Sequence, residues 1–176
     1  MIALSYIDTP IGKIRIAATD EGICLFDFEY RRSIEAIMKR IEVQSGKSFV
    51  EGRHPYFELL KQQINEYFTG IRTTFDLPLQ LLGTPFQKKV WEGLMQIPYG
   101  ETRSYKKQSI FLGNEKAIRA VAGANGENGI AIIIPCHRVI GENGSLIGYG
   151  GGLQRKKWLL DHERKHIGKA SQAVLF

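Results

Sequence analysis

Lys13-Ile14-Arg15-Ile16-Ala17-Ala18-Thr19-Asp20-Glu21-Gly22-Ile23-Cys24-Leu25-Phe26-Asp27-Phe28 decides how the first third of the chain folds. Ile14, Ile16 and Ala18 alternate with Lys13, Arg15 and Ala17, a period of two that suits a strand with one buried face. Cys24, Phe26 and Phe28 alternate likewise, and Asp20-Glu21-Gly22 between the runs is hairpin punctuation. The period then changes. Ile34, Ile37, Met38 and Ile41 fall at helical spacing behind Ser33, a candidate N-cap. A second helix is predicted to start near Pro55, bury Phe57, Leu60, Ile64 and Phe68, and stop at Gly70. A small antiparallel sheet followed by helices makes residues 1–81 an α/β domain. The segment from Arg72 to Gly83 reads as extended and then as a linker, which places a boundary near Leu82.

Residues 82–168 read as a second, mostly helical domain. Thr84-Pro85 supplies an N-cap and a first-turn proline, with Phe86, Val90, Trp91 and Leu94 on one apolar face. Pro98-Tyr99-Gly100 is a turn. Ser104 to Leu112 and Asn114 to Ala124 are two short helices around Gly113, with Asn114 as the capping candidate, and this pairing resembles a helix-turn-helix. Ile130-Ala131-Ile132-Ile133-Ile134 is a continuous apolar run and reads as a buried, strand-like segment ending at Pro135-Cys136-His137-Arg138-Val139. Gly148-Tyr149-Gly150-Gly151-Gly152 then turns the chain into a last helix containing Trp158, Leu159 and Leu160, with residues 169–176 as a tail.

The 176 residues suffice for one ordinary domain or two small ones. With 43% hydrophobic and 24% charged residues, fibrous and largely disordered classes are excluded. No apolar run reaches the roughly 18 residues that span a bilayer, and Met1 to Asp8 lacks the parts of a signal peptide. Cys24 and Cys136 cannot make a disulfide framework or a four-ligand zinc site by themselves. The expectation is a soluble intracellular protein with reduced thiols. Net charge is +6 and unevenly placed: residues 1–81 carry 10 Lys/Arg against 11 Asp/Glu, whereas residues 82–168 carry 13 against 7. A basic second half suits a polyanion partner, although lysine and arginine are also ordinary surface residues.

Cys136 is the candidate nucleophile. A free cysteine at the end of an apolar run is by default a small buried hydrophobe. A reactive one needs a base and an electropositive setting, because burial raises a thiol above its usual value of ~8.5. His137 and Arg138 follow it directly, and His162 and Glu163 on the last helix could supply a partner and an orienting carboxylate. Cys24, in a strand pattern without a basic neighbour, reads as core. The glycines around Tyr149 would let a ligand approach the backbone, but the lysine and hydroxyl of a phosphate-binding loop are missing. No His/Glu spacing resembles a metal site.

Pro135-Cys136-His137-Arg138-Val139-Ile140 resembles the active-site signature of the O6-alkylguanine-DNA alkyltransferases. Tyr99-Gly100, Ser104-Tyr105, Arg119-Ala120-Val121-Ala122-Gly123-Ala124-Asn125, Asn128, the 148–152 glycines and Trp158-Leu159-Leu160 followed by His162-Glu163 fall in that family's order. The strong match covers roughly residues 84–168, and the first eighty residues resemble the family's ribonuclease H-like domain in pattern. Asn128-Gly129 departs from the usual Asn-Pro, which is expected to loosen that loop.

The resemblance implies a winged-helix-like second domain that flips O6-alkylguanine out of duplex DNA, with O4-methylthymine as a second candidate substrate. It implies transfer of the alkyl group to Cys136, once per molecule and without a cofactor. His137 would take the thiol proton through a water, Glu163 would orient that histidine, and Asn128 would hold the active-site turn. Tyr105 would bond the purine and rotate the 3′ phosphate. The backbone of Cys136, Val139 and Gly150 would read the base edge, and Tyr149 would wall the pocket. Arg119 would fill the vacated stack, and Ala120, Ala122, Gly123 and Ala124 would let their helix lie in the minor groove. Gln87 and Arg138 are further DNA contacts by the same resemblance. A cytoplasmic (in a eukaryote, nuclear) monomer without membrane contact is expected. Two rivals remain at this stage. Alkyltransferase-like binding proteins carry Trp where this chain has Cys136, and a helix-turn-helix transcription factor would leave the Cys/His/Glu set without a purpose.

Overall fold

A computed structural model of the chain describes residues 1–173, with side chains through residue 168. Three strands form the expected meander: β1 (Ile2–Thr9), β2 (Gly12–Thr19) and β3 (Gly22–Phe28), paired antiparallel. A fourth, β4 (Phe49–Glu51), follows α1 (Ile34–Ser45) and pairs parallel with β1, so the sheet is mixed, in the order β3-β2-β1-β4. Cys24 does not share a face with Phe26 and Phe28. It is an extra residue opposite the Ala17–Ala18 step, where the register shifts. Ile23, Phe26 and Phe28 therefore pack on one face, while Cys24 and Leu25 pack on the other with Ile34, Ile37 and Ile41 of α1. Burial pushes the Cys24 thiol up to about 12, so it is inert core. Ser33 precedes α1 without capping it, because its hydroxyl accepts from Arg31 Nε instead.

Helix α2 (Pro55–Phe68) starts at its proline and buries Phe57, Leu60, Ile64 and Tyr67; Phe68 is only half-buried. The segment after it makes no strand beyond a bridge of Leu79 to Ile23. It is pinned by Gln63, whose side chain bonds both backbone groups of Asp76. Helix α3 (Pro85–Leu94) opens with a capping box between Thr84 and Gln87. Val90, Trp91 and Leu94 face the core, but Phe86, in the first turn of the helix, is exposed.

Strand β5 (Arg103–Ser104), α4 (Tyr105–Phe111) and α5 (Ile118–Gly126) form the helical pair, with Gly113 left-handed (φ 81°) at the turn. A 3-10 turn, Glu115–Ala117, replaces the expected first turn of the second helix, and Asn114 makes no side-chain cap. The apolar run 130–134 is buried but is not a strand. Ile132 is left-handed (φ 68°), Ile134 N donates back to Ile130 O, and only Ile130 bridges a strand, at Phe26. Apolar character alone cannot separate a tight buried turn from a buried strand. Strand β6 (Val139–Ile140) pairs parallel with β5, and α6 (Leu153–Ala173) closes the chain, running past position 168; residues 174–176 lie outside the described residues. Because segments 78–80 and 129–131 both bond to the edge of β3, the two halves share one continuous core.

Candidate active site

Cys136 opens a 3-10 turn, Cys136–Arg138, directly after the tight apolar turn. Asn128 holds that turn in shape. Its Oδ1 accepts from Ile130 N at 2.9 Å, and its Nδ2 donates to Ile134 O at 3.0 Å and to Cys136 Sγ at 3.3 Å. Burial raises the Cys136 thiol, while the Asn128 hydrogen bond and the Arg31 charge oppose that rise. The sulfur belongs to the wall of a cavity of about 460 Å³, mostly apolar, that Tyr105, Arg119, Ala122, Asn125, Tyr149 and Gly150 also line. Cys136 is 9% exposed, whereas the neighbouring His137 is fully buried. The cavity wall thus includes Cys136 but not His137.

His137 Nε2 donates to Glu163 Oε2 at 2.5 Å, and His137 Nδ1 is buried without a hydrogen-bond partner among the described residues. Burial lowers the His137 pKa, outweighing the pull of Glu163, so the ring is neutral near pH 7 with its Nδ1 lone pair free to accept. For Glu163, burial favours the protonated acid. The charges and hydrogen bonds of His137 and Arg138 outweigh it and hold the carboxyl well below the usual carboxylate range. His162, the alternative partner, stacks on Trp158 and bonds Tyr67 O, outside this relay.

Arg138 is a correction to the sequence reading. It does not face solvent: its Nε donates to Glu163 Oε1 at 2.7 Å and its Nη1 to Ile97 O, so it is buried and turned inward rather than presented on the surface. Gln87 spends its carbonyl on the α3 cap. Val139 is buried, and its carbonyl accepts from Lys156 Nζ at 2.5 Å. Tyr105 lies in the cavity wall and donates to Ile147 O. Arg119, Ala120 and Gly123 share the exposed face of α5, while Val121, Ala124 and Asn125 face inward. A Cβ on Gly123 would meet nothing within 4 Å, so helix packing does not explain the small residues at 120 and 123, although it does explain Ala124.

Three residues that the sequence reading passed over complete the site. Arg31 pairs with Asp27 at 2.8 Å and donates to the carbonyls of Asn128 and Gly126, tying the first half of the chain to the active-site turn. Gly129, expected to loosen that turn, is itself bonded to Phe26 and abuts Ile37, leaving little room for a side chain. Lys156 is fully buried and donates to Val139 O, Ile147 O and Gly148 O; burial lowers its pKa to about 8. Tyr67 donates to Glu163 Oε2 at 2.8 Å. A basic run around Lys156 and an aromatic in a helix read as solvated and as plain core, so no sequence signal separated them. Among the described residues no group of three or more His, Cys, Asp or Glu could hold a metal ion, and no helix is long and apolar enough to cross a membrane.

Known proteins similar to this one match it over nearly the whole chain. Residues 2–81 match the ribonuclease-like domain of 6-O-methylguanine DNA methyltransferase, and residues 85–165 match its DNA-binding domain. A methylated-DNA–protein-cysteine methyltransferase of Methanosarcina barkeri is 44% identical over 161 residues, covering 92% of this chain and 96% of that one. The constitutive enzyme of that name from Bacillus subtilis is 54% identical over 160 residues, covering 89% and 92%. Among solved structures, the Mycobacterium tuberculosis O6-methylguanine methyltransferase superposes with a TM-score of 0.79 at 40% identity, covering 94% of each chain. The same organism's protein in complex with DNA gives 0.78 at 42% identity, covering 92% of each chain. With both family models matched, together covering residues 2–81 and 85–165, and with relatives 44% and 54% identical over about nine-tenths of its length, the chain belongs to the methylated-DNA–protein-cysteine methyltransferase family.

Proposed function

We propose that Cys136 is the alkyl acceptor through which this chain repairs O6-alkylguanine in double-stranded DNA, each molecule acting once. The observation that carries the reading is the cysteine's position. Its sulfur lines the cavity and accepts a hydrogen bond from Asn128, one residue before a histidine whose second nitrogen is held by Glu163. His137 Nδ1 takes the thiol proton through a bridging water. The thiolate attacks the alkyl carbon, the C–O6 bond breaks, and its electron pair leaves with guanine, which is protonated as it departs. The new thioether has no leaving group that the site could expel, so the protein is consumed.

The target atom is unreachable in a stacked duplex, so the base must turn out at a cost of a few kcal/mol, less for a damaged pair. The exposed face of α5 suits this step. Ala120 and Gly123 let the helix approach a narrow minor groove, and Arg119, at the cavity rim, takes the place of the departed base. Tyr105 and Tyr149 bound the base, and the backbone near Cys136 and Gly150 reads its edge. A cytoplasmic monomer suits such a reaction, since no step needs a second copy. Cys136→Ala tests the reading: it should bind duplex DNA as the parent does and transfer nothing.

A further inference from the structure

We infer that Tyr67, on a helix of the first half of the chain, is a positioning residue for alkyl transfer: through its hydrogen bond to Glu163 it sets how strongly His137 attracts a proton. The inference rests on the reading of Cys136, His137 and Glu163 given above and extends it to the other half of the molecule.

Glu163 receives four donors. Oε1 accepts from Arg138 Nε at 2.7 Å and from Gly100 N at 3.2 Å; Oε2 accepts from His137 Nε2 at 2.5 Å and Tyr67 Oη at 2.8 Å. Tyr67 and the imidazole therefore share one oxygen, and Tyr67, His137 and Glu163 are all fully buried. Burial and the Glu163 charge raise the Tyr67 phenol well above its ordinary value, so it keeps its proton and acts as a permanent donor. A second donor on Oε2 draws off part of the charge that holds the His137 N–H. It also leaves the carboxylate one orientation in which both Oε2 bonds are made. The other titratable groups facing this cluster are Arg138 and Tyr99 beside Glu163, His162 on α6, and Lys156 toward His137. None of these bonds Oε2. Tyr67 is thus the side chain that competes with His137 for it.

Tyr67→Phe keeps the ring's packing and removes only the hydroxyl. With the whole charge of Oε2 on His137, the imidazole binds its proton more tightly, and the acid limb of the single-turnover rate should move to higher pH by about half a unit to one unit. With free O6-benzylguanine as substrate, which needs no duplex, the rate on the acid limb, at pH values below the folded His137 value, should fall roughly threefold to tenfold. In a His137→Asn background the same change should have no further effect on rate. A fluorinated tyrosine at position 67 is a stronger donor and should move the limb the other way, a test that holds even if Tyr67→Phe folds poorly. A rate lowered equally at all pH values, or an equal loss in the His137→Asn background, would overturn the inference and leave Tyr67 as packing alone. Failure of the parent protein to alkylate Cys136 would instead strike at the underlying reading.

Discussion

Arg31 and Asn128 stand 97 positions apart, yet Arg31 Nη1 donates to Asn128 O at 2.8 Å while the same nitrogen pairs with Asp27. The residue that shapes the Cys136 turn is thereby held by the sheet domain. The pair is buried, and desolvation raises the Asp27 carboxyl to about 6 in spite of Arg31. Removing Arg31 by Arg31→Met would strand a buried carboxylate at a cost of about 3–5 kcal/mol near neutral pH. Its pKa would climb further, so the loss should grow as pH rises through about 6 and shrink below it, where Asp27 takes a proton in either protein. Urea melts of both proteins at several pH values check the sign.

His137 gives a second pH test. Its folded pKa lies below the ordinary value because burial disfavours the cation, so the unfolded chain binds the proton more readily. Stability from this group is present above about 6.5 and is lost as pH falls through the folded value. The transfer rate should likewise hold level from pH 7.5 to about 6.5 and decline only below that. His137→Asn should slow transfer by roughly 100-fold or more with DNA affinity nearly unchanged. Glu163→Gln should slow it too, but it also strips Arg138 of its counter-ion, so its melting point must be read beside its rate. A rate profile that falls away already between pH 7.5 and 7 would contradict the neutral imidazole.

On α5 the small residues and Arg119 separate stability from DNA contact. Gly123→Leu adds a side chain where the protein offers no obstacle, so the fold should gain by up to about 1 kcal/mol from helix propensity. Duplex affinity should fall nevertheless, because the helix can no longer lie close. Arg119→Ala should cut transfer from duplex far more than transfer from free O6-benzylguanine, and lower the salt slope of binding by roughly 0.9. Arg119→Lys should restore affinity better than rate, since it keeps charge but not the planar guanidinium. Equal losses on duplex and free base would assign Arg119 to the pocket instead.

What could be read from the sequence follows the range of each signal. The Ile14–Phe28 hairpin, the Thr84–Pro85 start and the Gly113 turn are local, set by side-chain period, caps and left-handed glycine, and these elements form. The Cys24 bulge and the short parallel strand β4 depend on partners elsewhere in the chain and left no period to read. The run 130–134 misled because burial on all sides looks alike in a strand and in a turn. The signature around Cys136 marked residues that the fold gathers at and beneath the cavity, while Arg138, beside them, looked like a DNA contact; only the fold shows Glu163 claiming it. Arg31, Tyr67 and Lys156 act across the fold, on residues 97, 96 and 17 positions away, and are composed of residue types that ordinary surfaces and cores also use.

Intact-mass spectrometry after incubation with duplex DNA carrying O6-methylguanine tests the central claim most directly. The expected result is one added methyl per protein molecule, located on Cys136 by peptide mapping, with repaired base saturating at one equivalent. Repair beyond one equivalent, or a methyl found on Cys24, would contradict it.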